Sequence, residues 1–130
     1  MAQDLLIITE PDLALLRGLL PHDDLQRELE RAIVVAPDAV PPEVVTLHSR
    51  VLYVEESTGA RRLVTIVCPI EADAGKGRIS VLAPVGAALI GLSVGQAIEW
   101  DFPDGTRRRL RVEDVSYQPE SAGNLAALHA

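Results

Sequence analysis

Aromatic side chains are scarce. Tyr53, Trp100, Phe102 and Tyr117 are the only four in 130 residues, which leaves little material for stacking nucleic-acid bases. Cysteine is scarcer still: Cys68 stands alone, so no internal disulfide forms and the chain suits a reducing cytoplasm. Positive charge is also short. Twelve Lys and Arg against nineteen Asp and Glu leave a net charge of −7, which argues against a sequence-independent grip on DNA or RNA, because phosphate binding needs clustered cations. Long apolar runs are missing too. Runs such as Leu5-Leu6-Ile7-Ile8 fall far short of the ~20 residues that cross a bilayer. Met1-Ala2-Gln3-Asp4 sets no basic stretch ahead of that run, so no signal peptide is expected.

What is present is the apolar fraction of a globular protein, 48%, at a length that suits one domain with an appendage. The acidity is concentrated. Residues 1–44 hold nine acids and three arginines, and residues 45–130 hold ten acids and nine bases. Pro37, Pro41 and Pro42 mark the border, which predicts a short helical segment with a Pro-rich linker over 1–43, a second unit over 44–120, and a tail from 121 to 130.

In the first unit Thr9 is placed to N-cap a helix, with Pro11 and Asp12 in its opening turn. Leu13, Leu16 and Leu20 share one face, and Gly18 and Pro21 end the helix. Asp23 or Asp24 caps a second helix, in which Leu25, Leu29, Ala32 and Ile33 line one side. The short connection makes an antiparallel hairpin about 20 Å long at 1.5 Å per residue. In the second unit, residues 49–55 and 61–68 read as strands joined at 56–60. Residues 71–78 read as a loop and 79–82 as a short strand, with a helix from Pro84 to Ile90 closed by Gly91. Residues 96–102 and 106–117 flank the turn Pro103-Asp104-Gly105, with a bulge expected near Glu113-Asp114. The fold class is therefore α+β: a short helical hairpin plus a four- or five-stranded antiparallel sheet with one helix.

No catalytic constellation emerges. His22, His48 and His129 are far apart, and none lies at metal-ligand spacing with Cys68, so neither a metal site nor a cofactor is expected. Cys68 reads as a small buried hydrophobe. Gly75-Lys76-Gly77 lacks the strand–loop–helix context of a phosphate loop and reads as a solvated turn. Arg107, Arg108, Arg109 and Arg111 form the one basic cluster, either a solvated face on an edge strand or a docking surface for an acidic partner. Asp23 and Asp24 are either plain helix caps or a carboxylate pair for Mg²⁺ beside another enzyme's site.

The run from Gly77 to Gly95, Gly77-Arg78-Ile79-Ser80-Val81-Leu82-Ala83-Pro84-Val85-Gly86-Ala87-Ala88-Leu89-Ile90-Gly91-Leu92-Ser93-Val94-Gly95, resembles the C-terminal signature of the bacterial Gre transcript-cleavage factors. There a strand ending in Ser-Pro leads into a small-residue helix, a Gly-x-x-x-Gly bend and a final hairpin. Val44-Val45-Thr46-Leu47-His48-Ser49-Arg50-Val51 and Tyr117-Gln118-Pro119-Glu120 extend the likeness to members with a much shorter N-terminal hairpin. The resemblance implies an FKBP-like C-terminal domain that binds RNA polymerase at the secondary-channel entrance through Leu82, Ala83 and Pro84. The family's proline is retained at Pro84, whereas its serine hydroxyl is replaced by Ala83. Asp23 and Asp24 would be loose analogues of the acidic hairpin tip. A hairpin of ~20 Å cannot carry them to a distant catalytic centre, so docking without RNA cleavage is expected, with nucleic acid met only through the polymerase. A second reading is an adaptor that alters nucleotide metabolism by contacting an enzyme such as nucleoside diphosphate kinase. An FKBP-like fold does not by itself bring prolyl isomerase activity.

Overall fold

The computed structural model describes residues 6–19 and 23–122, the latter without the side chains of Asp23 and Asp24. Alternation of apolar and polar residues builds the strands β3 (Arg50–Glu55), β4 (Ala60–Val67), β6 (Ala97–Asp101) and β7 (Arg107–Tyr117), with the short β5 (Arg78–Ser80) beside them. They form one five-stranded sheet in the order β5-β4-β3-β7-β6. The tight turns that join β3 to β4 and β6 to β7 use Gly59 and Gly105, both at positive φ, where a Cβ would strain the backbone. Along β3 and β7 the register steps twice, leaving Glu113 and Ser116 without partners. This is the bulge that the broken alternation near Glu113 foretold. The helix α3 (Pro84–Leu89) begins at the proline, as its sequence predicts. The chain is α+β.

Three expectations are corrected. The sheet is not wholly antiparallel: β5 runs parallel to β4, with Thr65 opposite Arg78 and Val67 opposite Ser80. The intervening chain makes two short 3-10 turns, Pro69–Glu71 and Ala74–Lys76, and so returns to the beginning of the pairing instead of turning tightly. The arginine-rich β7 is not an edge strand, since β3 and β6 flank it. Finally, the N-terminal helices are shorter than expected and lie between two strands. β1 (Ile7–Thr9) leads into α1 (Glu10–Gly18), and α2 (Asp23–Glu30) leads into β2 (Ile33–Val35), which pairs in parallel with β1. At nine and eight residues the helices measure about 13 Å and 12 Å. Ile33 does not extend the buried helical face but opens a β-branched Ile-Val-Val strand and is exposed, as that residue type favours. Thr9 caps α1 as predicted, its hydroxyl accepting from the Asp12 N–H at 3.3 Å.

One apolar core joins the two segments. Leu16, Leu25 and Leu29 of the helices pack in the same cluster as Val51, Tyr53, Val64, Ile66, Leu110 and Val112 of the sheet and Ala88 and Leu89 of α3. Residues 44–47 run through it without regular secondary structure, yet Val44, Val45, Thr46 and Leu47 are all buried. A buried irregular segment must find hydrogen-bond partners. Val45 N–H donates to Leu92 O at 2.8 Å, Gly91 N–H donates to Val45 O at 2.9 Å, and the Gln118 amide donates to both Pro41 O and Val44 O at 2.8 Å.

Helix α3 lies so close to the end of β5 that a Cβ on Gly86 would stand 2.2 Å from Ser80 O and 3.0 Å from Val81 Cα. Backbone atoms cannot yield as a flexible side chain does. Gly86→Ala, which ordinarily stabilises a helix, is therefore expected to destabilise this protein by about 2–3 kcal/mol. Urea unfolding monitored by circular dichroism checks the sign.

Candidate functional site

The docking residues implied by the resemblance occupy the turn between β5 and α3. Ser80 organises it: its hydroxyl accepts from the Leu82 N–H at 3.0 Å and its carbonyl from the Ala83 N–H at 3.0 Å. Val81 is fully buried, whereas Leu82, Ala83 and Pro84 are each half-buried and present a small, largely apolar ledge. Ala83 is the N-cap of α3, in extended conformation, and offers no side-chain acceptor. The hydroxyl missing relative to the Gre pattern is therefore also a missing helix cap. Asp23 and Asp24 open α2, and their side chains lie outside the described residues, as do Leu20, Pro21 and His22.

The arginine cluster does not form a free cationic face. Arg107 donates to Glu99 at 3.0 Å and to Asp101 at 2.9 Å. Arg109 and Arg111 both donate to Glu56, at 2.7 and 2.6 Å, and hold that half-buried carboxylate below its usual pKa, Arg111 foremost. Arg108 stacks 4.3 Å over the Phe102 ring and pairs with Asp104 at 2.8 Å. The Thr106 hydroxyl and N–H, together with Arg108, draw Asp104 down to about 2. The acids opposite the arginines already satisfy them, so this strand has little left with which to attract an acidic partner. The Arg107 pairs bridge β6 and β7 and the Glu56 pairs tie β7 to the end of β3, and such surface pairs add little to stability.

Sequence reading missed a buried polar centre beneath the helices. Asp12 is 4% exposed, and its carboxylate accepts the Leu47 N–H at 3.0 Å. Thr46 donates its hydroxyl to Glu120 at 2.8 Å, and the Ser49 hydroxyl accepts the Thr46 N–H at 2.9 Å. Glu120 is buried as well, and its second oxygen has no partner among the described residues. Burial, followed by the charge of Glu120, raises Asp12 to about 6 despite the Leu47 hydrogen bond. No local signal marks these acids as buried, because their partners lie 35 and 74 residues away.

The expectation about Cys68 also changes. His48, twenty residues earlier in sequence, converges on Cys68 and Glu71 so that one potential ligand atom from each lies within 4.8 Å of the others. His48 Nε2 sits 2.8 Å from Glu71 Oε1, which also accepts the Cys68 N–H at 3.2 Å. Cys68 is only half-buried, and burial together with the Glu71 charge pushes its thiol upward. Gly75 and Lys76 lie in the 3-10 turn Ala74–Lys76, which Gly77 closes at positive φ and in which the Asp73 side chain accepts the Gly75 N–H at 3.1 Å, in line with the turn expected there.

The Asp12 pKa is raised in the fold, so its contribution to stability is full below its unfolded value near 4 and declines as pH climbs through about 6. The loss is on the order of 3 kcal/mol. Asp12→Asn stays neutral and keeps an oxygen for the Leu47 N–H. In EDTA-containing buffer its unfolding midpoint should fall less than that of the natural chain between pH 4 and 7, crossing to greater stability at the upper end.

Comparison with known proteins fits this geometry. Residues 40–117 match the family described as "Transcription elongation factor, GreA/GreB, C-term". The "Regulator of nucleoside diphosphate kinase" of Escherichia coli (strain K12), also called Rnk, is 44% identical over 107 residues, covering 82% of this chain and 79% of that protein. "Transcription elongation factor GreA" of Azorhizobium caulinodans is 37% identical over 84 residues, 65% of this chain and 54% of that one. The chain thus spans about half the length of that GreA relative. Among solved structures, "Prokaryotic transcription elongation factor GreA/GreB from Nitrosomonas europaea" superposes with a TM-score of 0.70 at 40% identity, covering 88% of this chain and all of that one. With its signature strand, turn and helix at residues 78–89 and a match across the sheet domain, the chain belongs to the GreA/GreB family.

Proposed function

We propose that this protein is a non-enzymatic regulator of transcription that binds RNA polymerase at the rim of the secondary channel and competes there with Gre-type elongation factors, without promoting transcript cleavage. The docking element is the ledge of Leu82, Ala83 and Pro84, on an FKBP-like domain. The reading rests chiefly on length. With helices of nine and eight residues, a segment of about 13 Å carries no acidic group far from the domain, and Leu16, Leu25 and Leu29 bind it to the core. Catalytic carboxylates act only within coordination or hydrogen-bond distance. Occupying the entrance while leaving the chemistry beyond it untouched is what such a shape performs. Apolar contacts at the ledge supply affinity and the acidic first third steers the approach.

The test is displacement of a labelled Gre factor from core polymerase. The natural chain should displace it at micromolar concentration. Pro84→Glu, which tolerates the first helical turn because acidic groups are favoured there, should displace it about tenfold less well with an unchanged melting temperature. Ala83→Ser should melt higher, gaining about 1 kcal/mol from the restored cap, and bind at least as tightly. Failure of the natural chain to displace the factor would overturn the proposal.

Stalled elongation complexes supply a second readout: the protein should release no short 3′ RNA fragments. Release that depends on Asp23 and Asp24 would show that the hairpin is an active cleavage device after all.

The 44% identity to a regulator of nucleoside diphosphate kinase favours one other reading, an adaptor acting by direct contact with that kinase. Co-purification of the two proteins, with polymerase absent, would distinguish it.

A further inference from the structure

The cluster at the end of β4 is built by two separate local structures. Thr46 to Ser49 form a turn closed by Ser49 N–H to Thr46 O at 3.0 Å. His48 occupies its third position with φ of +71°, the only non-glycine residue at positive φ among those described. Glycine or asparagine fits that position more easily. Cys68 follows the last residue of β4 and N-caps the turn Pro69–Glu71, whose third residue is Glu71. The backbone ties these pieces together: His48 N–H donates to Ile66 O at 2.6 Å, and Glu71 N–H to Cys68 O at 2.9 Å.

The donor set is one imidazole, one thiol and one carboxylate, with the His48 side chain 27% and the Glu71 side chain 44% exposed. A cation can therefore reach it from solvent. Mixed N, S and O donors suit zinc, whose bonds of about 2.0–2.3 Å place ligands roughly 3.3–3.7 Å apart around a tetrahedron. Atoms already within 4.8 Å of one another need only small rotamer adjustments to reach that spacing. The buried Asp12 carboxylate is near enough to feel the His48 ring and to act on the Cys68 thiol, adding negative potential behind the ligands. Hard cations such as Mg²⁺ prefer oxygen alone and gain nothing from the thiol.

We infer that His48, Cys68 and Glu71 form a binding site for a divalent transition-metal ion, zinc above others, with three protein ligands and a fourth position open to solvent. Binding deprotonates the Cys68 thiol, whose proton passes to water, and moves the His48 Nε2 proton through water to Nδ1, so that the His48–Glu71 hydrogen bond is replaced by two bonds to the metal. Cys68 adjoins Val67, which accepts the Val81 N–H at 2.8 Å. An ion there would fix the chain on the near side of the docking turn. The site stands independently of the polymerase reading.

Titration of the tag-free full chain with Co²⁺ tests it, because a thiolate ligand produces a charge-transfer absorption that imidazole and carboxylate do not. One Co²⁺ per chain should bind with that band, and Zn²⁺ should displace it. Cys68→Ala should abolish the band and weaken Zn²⁺ binding about tenfold or more. His48→Asn, which suits the left-handed backbone, should weaken binding comparably while circular dichroism remains unchanged. Absence of saturable binding, binding without the thiolate band, or an affinity in either variant equal to that of the natural chain would each overturn the proposal.

Discussion

The structure depends on hydrogen-bonding a strap that has no secondary structure of its own. Val44, Val45, Thr46 and Leu47 cross the interior between the N-terminal helices, the end of α3 and the C-terminal segment. An unpaired amide or carbonyl in such a place costs about 1–3 kcal/mol. Each neighbouring part supplies partners: Asp12 from α1, Gly91 and Leu92 from beyond α3, and Gln118 and Glu120 from the end of the chain. The strap thereby joins pieces remote in sequence, and the polar side chains that serve it must be buried with it. The raised pKa of Asp12 is the electrostatic cost of that service.

This arrangement also limits what the N-terminal segment can do. A helical pair that projects must be stabilised along its own length, whereas α1 and α2 give Leu16, Leu25 and Leu29 to the common core and are flanked by the paired strands β1 and β2. Their apolar face is spent against the domain. A short segment held against the domain in this way has little reach of its own.

The parts of the fold legible in the sequence were those governed by local rules. Ile98, Trp100 and Phe102 alternate with acids and do form β6 with its following turn; Pro84 opens α3; Thr9 caps α1. The three-residue strands Ile7–Thr9 and Ile33–Val35 escaped, because they are too short to show a period and Ile33 also fits a helical pattern. The parallel pairing of β5 lay beyond reach for another reason: local sequence does not say on which side a ten-residue connection returns. At the turn between β5 and α3 the proline and the helix start were readable, but the role of Ser80 as acceptor for both Leu82 and Ala83 was not. The buried acids were the least visible of all. Asp12 satisfies every rule for an exposed first-turn carboxylate, and only tertiary contact with Leu47 gives it another task.

The return of β5 alongside β4 accounts for the chemistry gathered at one end of the sheet. Ile66 N–H donates to Ser49 O at 3.1 Å while Ile66 O receives the His48 N–H, and Val67 O receives the Val81 N–H. Two consecutive residues of β4 therefore hold the His48 turn on one side and the approach to Leu82, Ala83 and Pro84 on the other. Cys68 comes next, at the point where the strand must end because Pro69 has no N–H to continue the ladder. Had β5 paired antiparallel through a tight turn, there would be no intervening 3-10 turn to carry Glu71 back toward His48. The same crossover that frustrates prediction from sequence is thus what gathers an imidazole, a thiol and a carboxylate at the end of β4 that also holds Val81, just before the turn Leu82-Ala83-Pro84.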